Sequence, residues 1–256
     1  MLTVRVIPCL LLKDKGLVKT VKFKNPRYIG DPINAIKIFN DKEVDELIFL
    51  DIEATKKHRS PDYNLLKKIA SECFMPLCFG GGIRDLDTFG SLLRLGIEKI
   101  SVNTLAFEKP EFITKAAKKF GSQAVVVSVD VKKDFWGNYR IFIKNGSVNT
   151  GLDPVVFAKK MVDAGAGEIL VNNIDRDGTM QGYDLNLLNK ITSNVRVPVI
   201  ASGGAGNLKH FKEAVEKAHV AAVAAGSLFV YHGKNKGILI NYPVPSEIKR
   251  NVIIRE

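Results

Sequence analysis

The chain has 256 residues, of which 46% are hydrophobic and 25% charged, with a formal net charge of +11. That composition is ordinary for a soluble globular protein, long enough to bury a substantial core in one large α/β domain or two small ones. No apolar run approaches the roughly 18 residues of a membrane span, and the start lacks the charged and apolar regions of a secretory signal, so a cytoplasmic location is expected.

Short β-branched runs alternate with helical patterns from end to end. A strand is predicted at 4–12 and a helix at 32–44. Strand 46–52 precedes helix 63–74, strand 76–79 precedes helix 86–95, and strand 99–102 precedes helix 111–120. The pattern resumes with strand 124–130, helix 154–164, strands 168–172 and 198–202, helix 208–217 and strand 221–225. After Asp130, residues 135–146 read as a β-hairpin with Gly137-Asn138 as its turn. Residues 238–243 look extended, so the eighth outer helix is expected to be short or replaced. Continuous apolar strands joined by helices imply a parallel sheet covered by helices. Eight such units fit a (β/α)₈ TIM barrel. The runner-up, a doubly wound open sheet, does not predict the two-fold repeat described next. One domain over 1–256 is expected, made of half-barrels at about 1–122 and 123–256.

The repeat is visible in the residues. Pro76-Leu77-Cys78-Phe79-Gly80-Gly81-Gly82 in the first half matches Pro198-Val199-Ile200-Ala201-Ser202-Gly203-Gly204 in the second. Twenty-three residues beyond Gly80 stands Asn103-Thr104, and twenty-three beyond Ser202 stands Ala225-Gly226-Ser227. The first strand ends Cys9-Leu10-Leu11-Leu12-Lys13 and the fifth ends Ser128-Val129-Asp130-Val131-Lys132. Leu11 therefore occupies the place where the repeat would put a carboxylate opposite Asp130, and a site built on paired carboxylates is half dismantled.

Barrels bind ligands at the C-terminal ends of their strands, with phosphate often near the seventh and eighth. Gly203-Gly204-Ala205-Gly206 opens a helix, where glycine admits an anion to the backbone and the helix N-terminus attracts it. Gly226 and Ser227 add N–H groups and a hydroxyl, and Gly81, Gly82, Asn103 and Thr104 offer the same equipment in the first half. One such cluster is most simply a tight turn, but two related by the repeat point to a small molecule with a phosphate at each end. The net charge reads either as a lysine-rich solvated surface or as a surface for phosphorylated ligands or an acidic partner. No RNA-binding or helix-turn-helix signature appears, and nucleic acid is not expected. Cys9, Cys73 and Cys78 lie in apolar segments and read as reduced core residues. The four histidines form no ligand pair, and neither metal nor cofactor is expected.

With these motifs the chain resembles the cyclase (HisF) subunit of imidazole glycerol phosphate synthase. The resemblance runs to about Val230 through Arg5-Val6-Ile7-Pro8-Cys9-Leu10, Gly80-Gly81-Gly82-Ile83, Ile174-Asp175-Arg176-Asp177-Gly178-Thr179 and Ala201-Ser202-Gly203-Gly204-Ala205-Gly206. It implies a glutaminase (HisH-like) subunit on the N-terminal face, with ammonia passing along the barrel to a doubly phosphorylated substrate. It also implies two aspartates as general acid and base. One is present as Asp130, and the other is replaced by Leu11, which carries no proton. Lys19, Asp51 and Asp177 remain as the family has them, whereas Glu53 and Asn172-Asn173 replace small hydroxyl residues. Glu53 is either a substitute carboxylate or a surface loop residue. Arg5, Glu46, Lys99 and Glu168 match the family's ammonia gate, although an ordinary rim of ion pairs would use the same residues.

A narrower resemblance, in Cys9-Leu10-Leu11-Leu12, residues 70–78, residues 224–230 and Leu239-Ile240-Asn241-Tyr242-Pro243, is to a branch associated with acetamidino modification of bacterial surface sugars. It implies an ATP-dependent sugar amidotransferase as a further partner, docked at the mouth where residues 135–146 project. The leading expectation is an ammonia-channelling subunit of a glutamine amidotransferase complex. The alternatives are a working cyclase of histidine biosynthesis, with Glu53 in place of the lost carboxylate, and a phosphate-binding scaffold without an ammonia role.

Overall fold

The structure, a computed structural model, describes residues 4–233, 235–244, 246–248 and 252. Eight strands form the barrel: β1 (Arg5–Lys13), β2 (Leu47–Asp51), β3 (Leu77–Gly80), β4 (Lys99–Val102), β5 (Val125–Lys133), β6 (Glu168–Asn173), β7 (Val199–Ser202) and β8 (Ala222–Ala225). Each pairs in parallel with the next, and β8 pairs with β1 to close the ring. The expected (β/α)₈ TIM barrel is the fold. Its strands are apolar along their length because both faces are covered. One face packs on the helices, and the other fills the barrel with Ile7, Cys9, Ile48, Cys78, Val126, Leu170, Ile200, Ala222 and Ala224.

Side-chain caps start six of the outer helices. Asp31 caps Pro32–Asp41 and Asp153 caps Pro154–Asp163, each with proline at the helix start. Asp62 caps Tyr63–Glu72 and Asp184 caps Leu185–Thr192; Asp85 caps Leu86–Arg94 and Asn207 caps Leu208–Ala218. Each pair is 122 residues apart, so the repeat extends to local chemistry worth about 1 kcal/mol per cap.

Three features differ from expectation. After Lys13 the chain forms an antiparallel ribbon, Gly16–Val21 with Lys24–Gly30, laid on the end of β1. Asp14, at φ 54°, and Lys15 make that turn within a lysine-rich stretch that carries no clean strand alternation. Helix Leu185–Thr192 was not predicted, its apolar stripe being interrupted by Asn186 and Asn189. The hairpin predicted at 135–146 is shifted: its arms are the end of β5 and Tyr139–Ile143, so Phe135 and Trp136 stand in the turn. Asp134 Oδ1 sets this turn by accepting the N–H groups of Trp136 and Asn138, both at 2.9 Å.

The eighth long helix is replaced, as expected. Helix Ser227–Val230 leads to a small ribbon, Tyr231–His232 with Gly237–Ile238, and then to an irregular segment. Tyr242 anchors this segment beneath the barrel, donating its hydroxyl to Val6 O at 2.8 Å and packing on Phe229. Parts of the predicted 1–256 domain, namely 1–3, 234, 245, 249–251 and 253–256, lie outside the described residues. Among the described residues no helix is long and apolar enough to cross a membrane.

Candidate functional site

A cavity of about 330 Å³ opens at the C-terminal ends of the strands. Both glycine clusters line it: Gly81 and Gly82 with Asn103 and Thr104 from one half, Gly203 and Gly204 with Gly226 and Ser227 from the other. The repeat-related glycines share left-handed backbone, with φ 111° and 74° at Gly81 and Gly82 and 85° and 117° at Gly203 and Gly204. A Cβ on Gly81 would lie 2.4 Å from Asp51 O, and one on Gly204 would lie 2.2 Å from Gly182 O. Gly204→Ala therefore meets both backbone strain and a collision with main chain. It is expected to cost roughly 1–3 kcal/mol, read as a lowered Tm by calorimetry. An unchanged Tm would show that this loop is not held as described.

Lys19 reaches the same cavity from the unpredicted ribbon on β1. Its side chain is buried, and it forms no ion pair among the described residues. A Cβ on Gly226 would stand 1.9 Å from Lys19 Nζ, so glycine makes the room that the ammonium occupies. A buried cation beside two backbone cradles favours an anionic ligand. Asp177 fastens the ribbon to the loop after β6, accepting from Thr20 Oγ1 at 2.9 Å and from Phe23 N at 3.4 Å. Thr104 Oγ1 accepts Lys144 N–H at 3.0 Å, tying the β5 hairpin to the first cradle.

Leu11 and Asp130 both line the cavity. Leu11 pairs with Leu50 in register, whereas Asp130 pairs with Asn172. Burial pushes the Asp130 carboxyl up to about 7; the Ser128 hydroxyl bond opposes the rise and the Asp177 charge adds to it. An unfolded aspartate titrates near about 3.9. The folded state thus holds this proton more tightly, and the group's favourable contribution is complete below about pH 4 and lost as pH rises from there to about 7. Asp130→Asn is accordingly expected to raise stability relative to wild type by up to roughly 4 kcal/mol at pH 8 and by little at pH 4. Equal shifts in thermal unfolding at the two pH values would contradict a desolvated carboxyl.

Glu53 is not brought into the cavity. Its carboxylate is held by Lys57 and by Lys13, the latter at 3.7 Å, and it is absent from the lining. Asp51 does line the cavity, with its carboxylate gripped by Arg59 at 3.0 Å and by the Glu53 and Ala54 N–H groups. The β5 hairpin, through Lys144 and Asn145, and the apolar Phe23, Leu50 and Ile52 also line the mouth. The hairpin was expected over the mouth, whereas sequence spacing gave no sign of Phe23, Leu50 or Ile52.

At the opposite end Arg5, Glu46, Lys99 and Glu168 come together from four strands or the residues just before them. Arg5 is bonded to Glu46 and, at 2.9 Å, to Glu168. Lys99 Nζ lies 2.9 Å from Glu46 and 3.1 Å from Glu168. Each cation thus touches both carboxylates, and the four charges cancel. Glu46 is only 2% exposed, and its Oε1 has no hydrogen-bond partner among the described residues. A barrel end needing only stability is filled with branched apolar side chains, and buried charges gain little unless fully paired. Along β1 every second residue reads Arg5, Ile7, Cys9, Leu11, passing from the charged ring through the apolar interior to the cavity. Glu46 and Glu168 are themselves 122 residues apart, a second mark of the repeat.

Residues 5–236 match the family model described as Histidine biosynthesis protein. The chain is 54% identical over 239 residues to a Pseudomonas aeruginosa protein named "Putative imidazole glycerol phosphate synthase subunit hisF2", the match covering 93% of this chain and 95% of that one. It is 48% identical over 229 residues to the "Imidazole glycerol phosphate synthase subunit HisF" of Saccharolobus solfataricus, covering 90% of this chain and 91% of that one.

Proposed function

The chain belongs to the histidine-biosynthesis barrel family of HisF subunits, and from that premise we propose that it conducts ammonia for a cytoplasmic glutamine amidotransferase complex and has lost ring closure of its own. The observation that carries this reading is the closed charged ring at one end of a barrel whose other end has Leu11 facing Asp130. A retired barrel under selection for stability alone gains nothing from two buried carboxylates bridged by two half-buried cations. In this reading a glutaminase subunit seats on the N-terminal face and releases ammonia at the ring. The ring parts to admit it, the apolar interior carries it uncharged, and it emerges between the two phosphate cradles.

The acceptor proposed is the N-acetyl group of a surface sugar, converted to acetamidino. That conversion replaces the amide oxygen by nitrogen, so the oxygen must leave on a phosphoryl or adenylyl group and a separate ATP-dependent amidotransferase is required. The competing reading, a working histidine-pathway cyclase, is favoured by the retained Asp130, Lys19 and both cradles in one cavity. An assay with purified glutaminase and sugar amidotransferase separates the two. Glutamine-dependent amidination is expected only when this barrel is added. Amidination at the same rate without it would remove the proposed role.

A further inference from the structure

The cavity is lopsided in charge. Besides Lys19, the lysines and arginines that line it are Arg84, Lys109 and Lys144. All three sit at the first cradle. Arg84 follows the glycines at 80–82, Lys109 follows helix Thr104–Glu108, and Lys144 is tied to Thr104. Arg84 and Lys109 are exposed and form no salt bridge among the described residues; Glu108 offsets Lys144 at 3.3 Å. The second cradle has Lys19 alone, its Nζ in the space beside Gly226. A ligand with one phosphate at each end calls for an even split. A cluster of cations at one rim suits a group of higher charge, such as a diphosphate.

The space between the cradles is lopsided in polarity. On the side of β1 and β2 it is lined by Leu11, Leu50 and Ile52. On the side of β5 to β7 it is lined by Asp130, Asn172 and Ser202, which stand in register on neighbouring strands. Asn172 is buried, and its Oδ1 has no hydrogen-bond partner among the described residues. A buried amide without partners is costly, and a ligand in the cavity can supply them. The group that fits here shows an apolar surface to Leu11 and an N–H to Asn172. An acetamido group has both, whereas a hydroxyl lacks the apolar part.

We propose that the barrel mouth binds the acceptor itself, a nucleoside-diphosphate-linked acetamido sugar, with its diphosphate on the cation-rimmed first cradle and its acetamido group between Leu11 and Asn172. This rests on the amidination reading and adds to it. The amidotransferase draws on ATP to activate the amide, and the barrel holds the acetamido carbon where ammonia emerges. Leu11 is then a specificity residue, since an aspartate in its place would be a poor neighbour for a methyl group.

Calorimetric titration of the barrel–glutaminase complex tests this with three probes. UDP-N-acetylglucosamine carries both groups, UDP-glucose has a hydroxyl in place of the acetamido group, and N-acetylglucosamine 1-phosphate has a single phosphate. The first is expected to bind at least about tenfold more tightly than either of the others. Leu11→Asp should erase the preference over UDP-glucose. Arg84→Ser/Lys109→Ser should erase the preference over the monophosphate, and because both residues are exposed this variant keeps the proposal testable if Leu11→Asp fails to fold. Equal affinity for UDP-N-acetylglucosamine and UDP-glucose, or no binding of any probe, would overturn the acceptor site. The conduit, read from product and not from ligand binding, would survive that result. Tight binding together with amidination that runs equally fast without the barrel would instead remove the reading beneath it, and the acceptor role with it.

Discussion

Given ammonium and the doubly phosphorylated ribonucleotide, the wild-type barrel is expected to make imidazole glycerol phosphate no faster than background, and Leu11→Asp to raise that rate by roughly 10²–10⁴-fold, the usual contribution of a positioned acid or base. The substitution is local. Leu11 already lines the cavity with Asp130, Lys19 and both glycine cradles, so a carboxylate there joins a formed site. Burial holds Asp130 at about 7, within reach of either protonation state near neutrality. Glu53 supplies no substitute, because Lys57 and Lys13 hold it away from the cavity. Wild-type turnover at ordinary cyclase rates would show that another group carries the missing proton and would restore the histidine-pathway reading.

Lys99→Met is expected to uncouple the complex and to destabilise the barrel. Glu46 and Glu168 would share Arg5 alone, and Glu46 is nearly sealed from solvent. Leaving a buried charge without its partner typically costs about 3–5 kcal/mol, which urea unfolding would read directly. At temperatures where the variant remains folded, glutamine should still be hydrolysed in the complex while amidinated sugar per glutamate formed falls severalfold. Product from added ammonium chloride should be unchanged, since that ammonia does not cross the ring. Undiminished coupling in a folded Lys99→Met complex would reduce the ring to an ordinary set of ion pairs.

Much of this architecture is legible from the chain. The eight strands follow from unbroken apolar runs such as Val125-Val126-Val127, and the glycine clusters announce positive φ at Gly81, Gly82, Gly203 and Gly204. The repeat is carried even by the helix caps, where Asp31 and Asp153 both precede proline. What sequence does not display is direction and meeting. Nothing in the order of residues says that Glu53 turns toward Lys57 while Asp51, two positions earlier, enters the cavity. Lys19 arrives on a ribbon whose strands are too lysine-rich to read as such. The hairpin turn was misplaced because Gly137-Asn138 looks like a two-residue turn, whereas Asp134 closes a longer one with its side chain. The family resemblance named the charged ring, but only the fold shows every cation bridging both carboxylates.

Isotope tracing tests the conduit most directly. The complete complex would be supplied with glutamine labelled with ¹⁵N at its amide and an excess of unlabelled ammonium in solution, and the amidinated sugar analysed by mass spectrometry. Ammonia carried inside the barrel gives product bearing mostly ¹⁵N despite the bulk pool, and Lys99→Met lowers that fraction. Product whose label matches the diluted ammonium of the solution would mean that ammonia travels through water, and the barrel would not be a conduit.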